Sequence, residues 1–313
     1  MVFVKMLSQL SKKDVVIAGG KGASLGELVR VGLPIPPGFV ILSSAFDRFL
    51  TETDPGEEIA AILKQVKFKN INSVDGAAVK IRKLILTAEF SKSLGKEILS
   101  EFIKLRAPLV AVRSSATAED SSSASWAGEL ESYLCTDKKH LLENIKNCWA
   151  SLYTPRAIFY RLEKKLNATK ISVAVVVQKM VQSEVSGITF TVHPVTKDRD
   201  QLVIEAGWGL GEAIVGGKII PDSYVISKKR GEIIEKNVSE QKMMIVKGLK
   251  GTVKKAVQKT KQDKQKLTDR RIIELARLCA KIERHYGEPQ DIEWALAKRK
   301  FYILQSRPIT TLK

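Results

Sequence analysis

Residues 291–307 read D-I-E-W-A-L-A-K-R-K-F-Y-I-L-Q-S-R, two short strand-like runs around a charged turn. Successive side chains of a strand point to opposite faces. Asp291 and Glu293 therefore share one face of the first run, and Gln305 and Arg307 share one face of the second. With the turn centred near Arg299, Glu293 lies opposite Gln305 and Asp291 opposite Arg307. Two carboxylates, an amide oxygen and a guanidinium then converge on one hairpin. A hard divalent cation such as Mg²⁺ takes one or two carboxylates and completes its shell with phosphate oxygens and water, which suits Glu293, Gln305 and Asp291. Arg307 would clamp a phosphate through paired hydrogen bonds that lysine does not reproduce. The same four residues would also suit a hairpin whose arginine only balances its carboxylates.

Further from the hairpin, three segments carry related chemistry. Gly19-Gly20-Lys21-Gly22 reads as a glycine-rich loop entering a helix over Ala23–Val31. Glycines let backbone N–H groups approach an anion, the helix presents its N-terminus, and Lys21 adds a positive charge. The spacing is not that of a Walker A loop. Leu109–Val112 reads as a short buried strand ending at Arg113 and opening into the hydroxyl-rich loop Ser114-Ser115-Ala116-Thr117-Ala118-Glu119-Asp120, a usual place for a binding residue. Gly207-Trp208-Gly209-Leu210-Gly211 misplaces the third glycine of a dinucleotide fingerprint, which leaves a glycine loop near a nucleotide, flanked by Glu205 and Glu212, or a tight turn into the next helix.

The chain has 313 residues, 44% hydrophobic, with a formal net charge of +18. That length is enough to bury a sizeable core in two or three subdomains. Much of the basic excess lies in Lys247–Arg271, where lysines alternate with polar residues and no aromatic is present for base stacking, so a solvated surface segment is expected rather than a nucleic-acid patch. Cys135, Cys148 and Cys279 are odd in number and far apart, as expected of buried thiols. His140 and His285 lie in lysine-rich helical surroundings, and His193, before Pro194, is expected in a turn; none suits a covalent phosphoryl carrier. The apolar stretches are too short for a bilayer and the N-terminus lacks a secretory pattern, so a cytoplasmic protein is expected. Helices are expected over Glu57–Leu105, about Lys138–Leu166 and Asp269–Tyr286, and strands at Val173–Val177, Ile188–Val192 and Gln201–Glu205.

Six ordered blocks run from GGKGASLGELVRVGLPIPPGFVI through VAVRSSATAED with SWAGELESYL, VVVQKMVQSEVSGITFTVHPVT and VIEAGWGLGEAIVGGKIIPDSYVI to DIEWAL and FYILQSRPIT. Together they resemble the N-terminal nucleotide-binding domain of phosphoenolpyruvate synthases, pyruvate, phosphate dikinases and rifampicin phosphotransferases. The resemblance implies an α+β, ATP-grasp fold with mixed and antiparallel sheets in two to three subdomains that hold ATP. It implies an N-terminal subdomain over 1–107 and the remaining subdomains, with adenine hinge and metal-binding hairpin, over 108–313. By the same resemblance Lys21, Arg113 and Arg307 are the polyphosphate ligands that carry catalysis, Gly128 and Ser132 cover the phosphates, and Gln178, Lys179, Met180 and Val181 meet adenine. Glu293 and Gln305 would hold Mg²⁺ with Asp291 in support. The implied partners are ATP, a phosphohistidine swivel domain and a pyruvate-binding barrel, supplied by another chain or a missing part of the protein. A drug-phosphorylating enzyme and a stand-alone ATP sensor are the competing readings; neither nucleic acid nor membrane is an expected partner.

Overall fold

β-Branched residues crowd the pleated surface of a strand favourably, and the run Val173-Ala174-Val175-Val176-Val177 forms the middle strand of a five-stranded sheet. The computed structural model describes residues 2–53, 55–67, 70–117, 120–121, 124–125, 131–163 and 172–310. The chain divides into two units, Met1–Arg30 with Pro37–Met180, and Val31–Pro36 with Val181–Lys313. The position 107/108, at which a subdomain boundary was expected, falls inside the first unit, between a helix and a strand of that unit.

In the first unit the elements follow as β1 (Val4–Met6), α1 (Val15–Arg30), β2 (Gly38–Ile41), α2 (Ser43–Glu52), α3 (Pro55–Lys64), α4 (Ile71–Thr87) and α5 (Lys92–Lys104). Then come β3 (Val110–Ala116), the two-residue pair β4 (Asp120–Ser121) and β5 (Ala124–Ser125), β6 (Ser132–Thr136), α6 (Leu141–Ala150), α7 (Pro155–Glu163) and β7 (Val173–Lys179). The sheet is antiparallel in the order β1-β2-β7-β3-β6. Alternation divides its faces cleanly. Phe39, Ile41, Val110, Val112, Ala116, Val173, Val175 and Val177 join the buried cluster that includes residues of α2 to α7. Within that cluster Trp149 lies 5.0 Å from Phe49 and 5.3 Å from Phe46 between ring centroids, contacts worth about 0.5–1.5 kcal/mol each beyond burial. The opposite face, with Val40, Ala111, Arg113, Ser115, Val176 and Gln178, receives α1, where Val40 comes up against Gly22.

The second unit contains β8 (Val185–Phe190), β9 (Gln201–Trp208), α8 (Glu212–Val215), β10 (Asp222–Ser227), β11 (Glu232–Asn237), β12 (Met243–Lys247) and β13 (Thr252–Ala256). It ends with α9 (Lys259–Gln262), α10 (Asp269–Tyr286), β14 (Gln290–Ala297) and β15 (Lys300–Pro308). Six antiparallel strands pair in the order β11-β10-β9-β8-β14-β15, with β12 and β13 as a separate hairpin. In α10 the buried positions Ile272, Leu275, Ala276, Cys279 and Ile282 recur at helical spacing, and the helix stops at Gly287, whose φ of 75° only glycine adopts readily. This helix covers the sheet face carrying Ile204, Tyr224, Ile226, Ile292 and Trp294.

Within the basic segment β13 and the short α9 are largely exposed, as a solvated segment should be, but among its lysines Lys266 is buried. Its ammonium lies 2.8 Å from the Asp222 carboxylate, and both side chains are fully sealed from solvent. Asp222 also accepts from the Ser239 and Lys266 N–H groups and from the Tyr224 hydroxyl, and Lys266 donates to the Ser239 carbonyl. Hydrogen bonds to every charged atom are what make such a pair tolerable in a dry interior. All three cysteines are buried and reduced, with burial pushing the Cys279 thiol up to about 12. No described helix is long and apolar enough to cross a membrane.

Candidate functional site

The closing hairpin has the register expected of it. Asp291 pairs with Arg307 and Glu293 with Gln305 across β14 and β15, and the tight turn is Lys298-Arg299, both at positive φ. A bulge beside Trp294 inserts Leu304 into β15, and beyond it Gln305 and Arg307 still face the carboxylates. Arg307 donates from Nε and Nη2 to one oxygen of Asp291, at 2.9 and 2.7 Å. Asp291 is largely enclosed while Arg307 stays 41% exposed at its side chain. Burial pushes the Asp291 carboxyl above the ordinary carboxylate range; the Arg307 charge pulls it back, and Glu293 raises it further.

A third carboxylate lies on this face. Glu293 pairs with Ile188 of β8, and Ile188 pairs with Glu205 of β9, so the two glutamates share a row about 10 Å apart, two strand spacings. Burial, and then the charge of Asp291, raises the Glu205 carboxyl above its usual value. In the sequence alone Glu205 stands only as a flank of the glycine loop. The signal was there in the alternation of Val203, Glu205 and Gly207 along one strand, but it needed the order β9-β8-β14 to place that face. Glu212, the other flank, is structural: it pairs with Lys218 at 2.9 Å and accepts from Thr252, tying α8 to β13. The glycine segment itself is the tight turn into α8, with Gly209 at φ 88° and its carbonyl taken by Ser183 and Ser186.

In the first unit, two expectations are corrected in detail. Residues 19–22 do not form an open loop: only Gly19 leaves helical geometry, with φ 68° and ψ 170°, and Lys21 sits in the first turn of the segment that follows. Arg113 does not stand at a loop mouth. β3 continues to Ala116 because the hydroxyls of Ser114 and Ser115 find carbonyl acceptors, at Glu131 and Ala18, and so Arg113 is buried mid-strand. Its register partners are Ser132 on β6 and Val176 on β7. Gln178, two residues along β7 from Val176, faces the same side and is buried. Arg113, Ser132 and Gln178 thus share one face of one sheet, the face on which α1, the helix that contains Lys21, packs. Gly128 lies outside the described residues.

The segment expected to meet adenine is where the chain passes from one unit to the next, between Met180 and Val181. The Lys179 and Met180 N–H groups are already bonded, to the Pro37 and Leu109 carbonyls at 2.8 and 3.0 Å. His193 organises its turn by accepting at Nδ1 from the Val195 and Thr196 N–H groups. Among the described residues no three Asp, Glu, His or Cys side chains gather as a ready-made metal cage. The set on the hairpin is two carboxylates and an amide, the composition expected where phosphate and water supply the remaining ligands.

Two large antiparallel sheets with helices packed on them, one bearing Arg113 on the face where α1 packs and the other paired carboxylates with an arginine, make an α+β fold. The chain belongs to the family described as pyruvate phosphate dikinase, AMP/ATP-binding domain, which matches residues 15–313. It is 46% identical, over its whole length, to 27% of a probable phosphoenolpyruvate synthase of Methanocaldococcus jannaschii. It is 40% identical over 99% of its length to 46% of the corresponding protein of Methanothermobacter thermautotrophicus. A rifampicin phosphotransferase of Bacillus subtilis is 39% identical over 98% of the chain and 36% of its own length. The chain therefore spans less than half of these relatives and corresponds to their ATP-binding part.

Proposed function

We propose that this chain is the ATP-cleaving portion of a phosphoenolpyruvate synthase-type dikinase, an ATP-grasp domain that passes phosphoryl groups to a histidine on a separate domain or chain. The observation that carries the reading is the hairpin register, which sets Arg307 against Asp291 and Glu293 against Gln305. It is supported by the family match and by the synthase relatives.

Phosphoryl transfer needs little covalent help from the nucleotide site; positioning and charge neutralisation do most of the work. Lys21, Arg113 and Arg307 would hold the polyphosphate, with Ser132 beside Arg113 and Gly128 covering the chain of phosphates. Glu293 and Gln305 fit Mg²⁺ as oxygen donors, with Asp291 supporting them, and the ion would neutralise charge on the phosphates. Gln178 and the segment Lys179, Met180, Val181 would meet adenine. With two N–H groups of that segment already spent, the contact would fall to its carbonyls or to the Val181 N–H. The phosphohistidine domain and the pyruvate-binding barrel would complete the reaction in the cytoplasm.

The experiment is phosphoryl transfer from ATP to a separately expressed histidine domain of a synthase, followed by turnover with pyruvate once the barrel is supplied. Labelled histidine domain and pyruvate-dependent turnover are expected, and Glu293→Ala should raise the half-maximal Mg²⁺ about tenfold or more. ATP binding without any transfer would instead support an ATP sensor. The rifampicin phosphotransferase match favours one alternative acceptor, and turnover with rifampicin and its own acceptor domain, but not with pyruvate, would select it.

A further inference from the structure

Gly19 sits at the position from which a helix is normally capped, and it has no side chain to do so. The segment beginning at Gly20 resumes helical geometry after the φ 68°, ψ 170° of Gly19. An ordinary N-cap residue accepts from the N–H two or three residues ahead. Here that bond is made from another strand: Ser115 Oγ accepts from the Gly22 N–H at 3.1 Å and donates to the Ala18 carbonyl at 2.9 Å. Ser115 is fully buried. A Cβ on residue 19 would stand 2.3 Å from that same oxygen and 2.2 Å from the Ser115 carbonyl, so the close approach of Ser115 requires glycine at 19.

Ser115 is also two residues from Arg113 on β3, with its side chain on the same face. One strand therefore carries a proposed phosphate cation and, one step along, the hydroxyl that anchors the helical turn bearing the other, Lys21. We infer that Ser115 is a positioning residue for polyphosphate binding, fixing the turn that carries Lys21 relative to Arg113 so that the two cations address one anion. This rests on the ATP-binding reading above. Ser115 touches no phosphate itself; it acts through Lys21. A cation held about 1 Å out of place loses much of its value to a bound phosphate, because such sites act through fixed geometry.

The test uses the full chain with Ser115→Ala, Lys21→Ala and the double variant, each confirmed folded by thermal melting. Two quantities are read: amide hydrogen exchange at Gly20–Gly22 without nucleotide, and the Kd for ATP with Mg²⁺. Ser115→Ala should speed exchange at Gly22 selectively and weaken ATP binding about tenfold, a usual coupling for groups in direct relation. In the Lys21→Ala background the same substitution should cost little further affinity. An equal loss in both backgrounds would overturn the inference, since a general structural defect does not depend on Lys21, and so would unchanged exchange at Gly22. If the parent chain failed to bind ATP while exchange at Gly22 still responded, the ATP reading would fall, and the phosphate role of Ser115 with it, although the cap itself stood.

Discussion

Arg307 is shared between two demands, the carboxylate of Asp291 that it already holds and the phosphate it is proposed to clamp. Its side chain is 41% exposed, and Asp291 takes both its Nε and its Nη2 hydrogen bonds. Charge-assisted hydrogen bonds contribute about 1.5–3 kcal/mol, so Arg307→Ala should weaken ATP binding roughly tenfold to a hundredfold by calorimetry. Arg307→Lys should recover only part of this, because a point charge cannot serve Asp291 and phosphate in one plane. Glu205 gives a pH-dependent signature. Its carboxyl is raised by burial, so the folded state binds that proton more tightly than the unfolded state does, and stability falls as pH rises above the ordinary value of 4.5 through the raised one. Glu205→Gln should therefore raise the unfolding midpoint at neutral pH, and the gain should shrink as pH falls toward 4.5. A gain that persisted unchanged at pH 4 would disprove this account of Glu205.

Elements differ in how openly the sequence declares them. α10 runs over Asp269–Tyr286 as its apolar spacing and Gly287 indicate, and β14 and β15 follow directly from alternation. The strand expected at Ile188–Val192 begins earlier, at Val185, because β8 pairs on both sides through Val185–Phe190. β3 ran past its expected end for a reason no local pattern contains, the distant carbonyls that satisfy its serines. α1 is the sharpest case. A run of glycines reads as a loop, yet only Gly19 is bent, and the rest of the turn is held helical by a serine nearly a hundred residues away. Backbone in that region of conformational space is tolerated almost by glycine alone, at a cost of about 1–3 kcal/mol for other residues. Gly19→Ala should then destabilise the chain by at least about that much in urea unfolding, since its methyl also collides with Ser115. The same substitution at Gly32, also at positive φ but with nothing within 4 Å, should cost less.

At the scale of the whole molecule the family is legible in the sequence, while the two units are set by pairing between distant strands. The composition changes near residue 108, where helices give way to strands, but β3 completes a sheet with β2 and β7 and so belongs with the helices before it. Non-local pairing decides such a boundary, and only the register reveals it. The register of the hairpin is local, and alternation alone places its four side chains, while Ser115 and Glu205 needed the folded sheets to be noticed. Lys21 and Arg113 lie in one unit, and Glu293, Gln305 and Arg307 in the other. The central claim, that the chain binds Mg·ATP, is tested most directly by calorimetric titration of the chain with ATP, with Mg²⁺ and with chelator. Saturable, Mg²⁺-dependent binding at one ATP per chain, weakened by Lys21→Ala and Arg307→Ala alike, is predicted. No binding at any Mg²⁺ concentration, or binding indifferent to both substitutions, would contradict it.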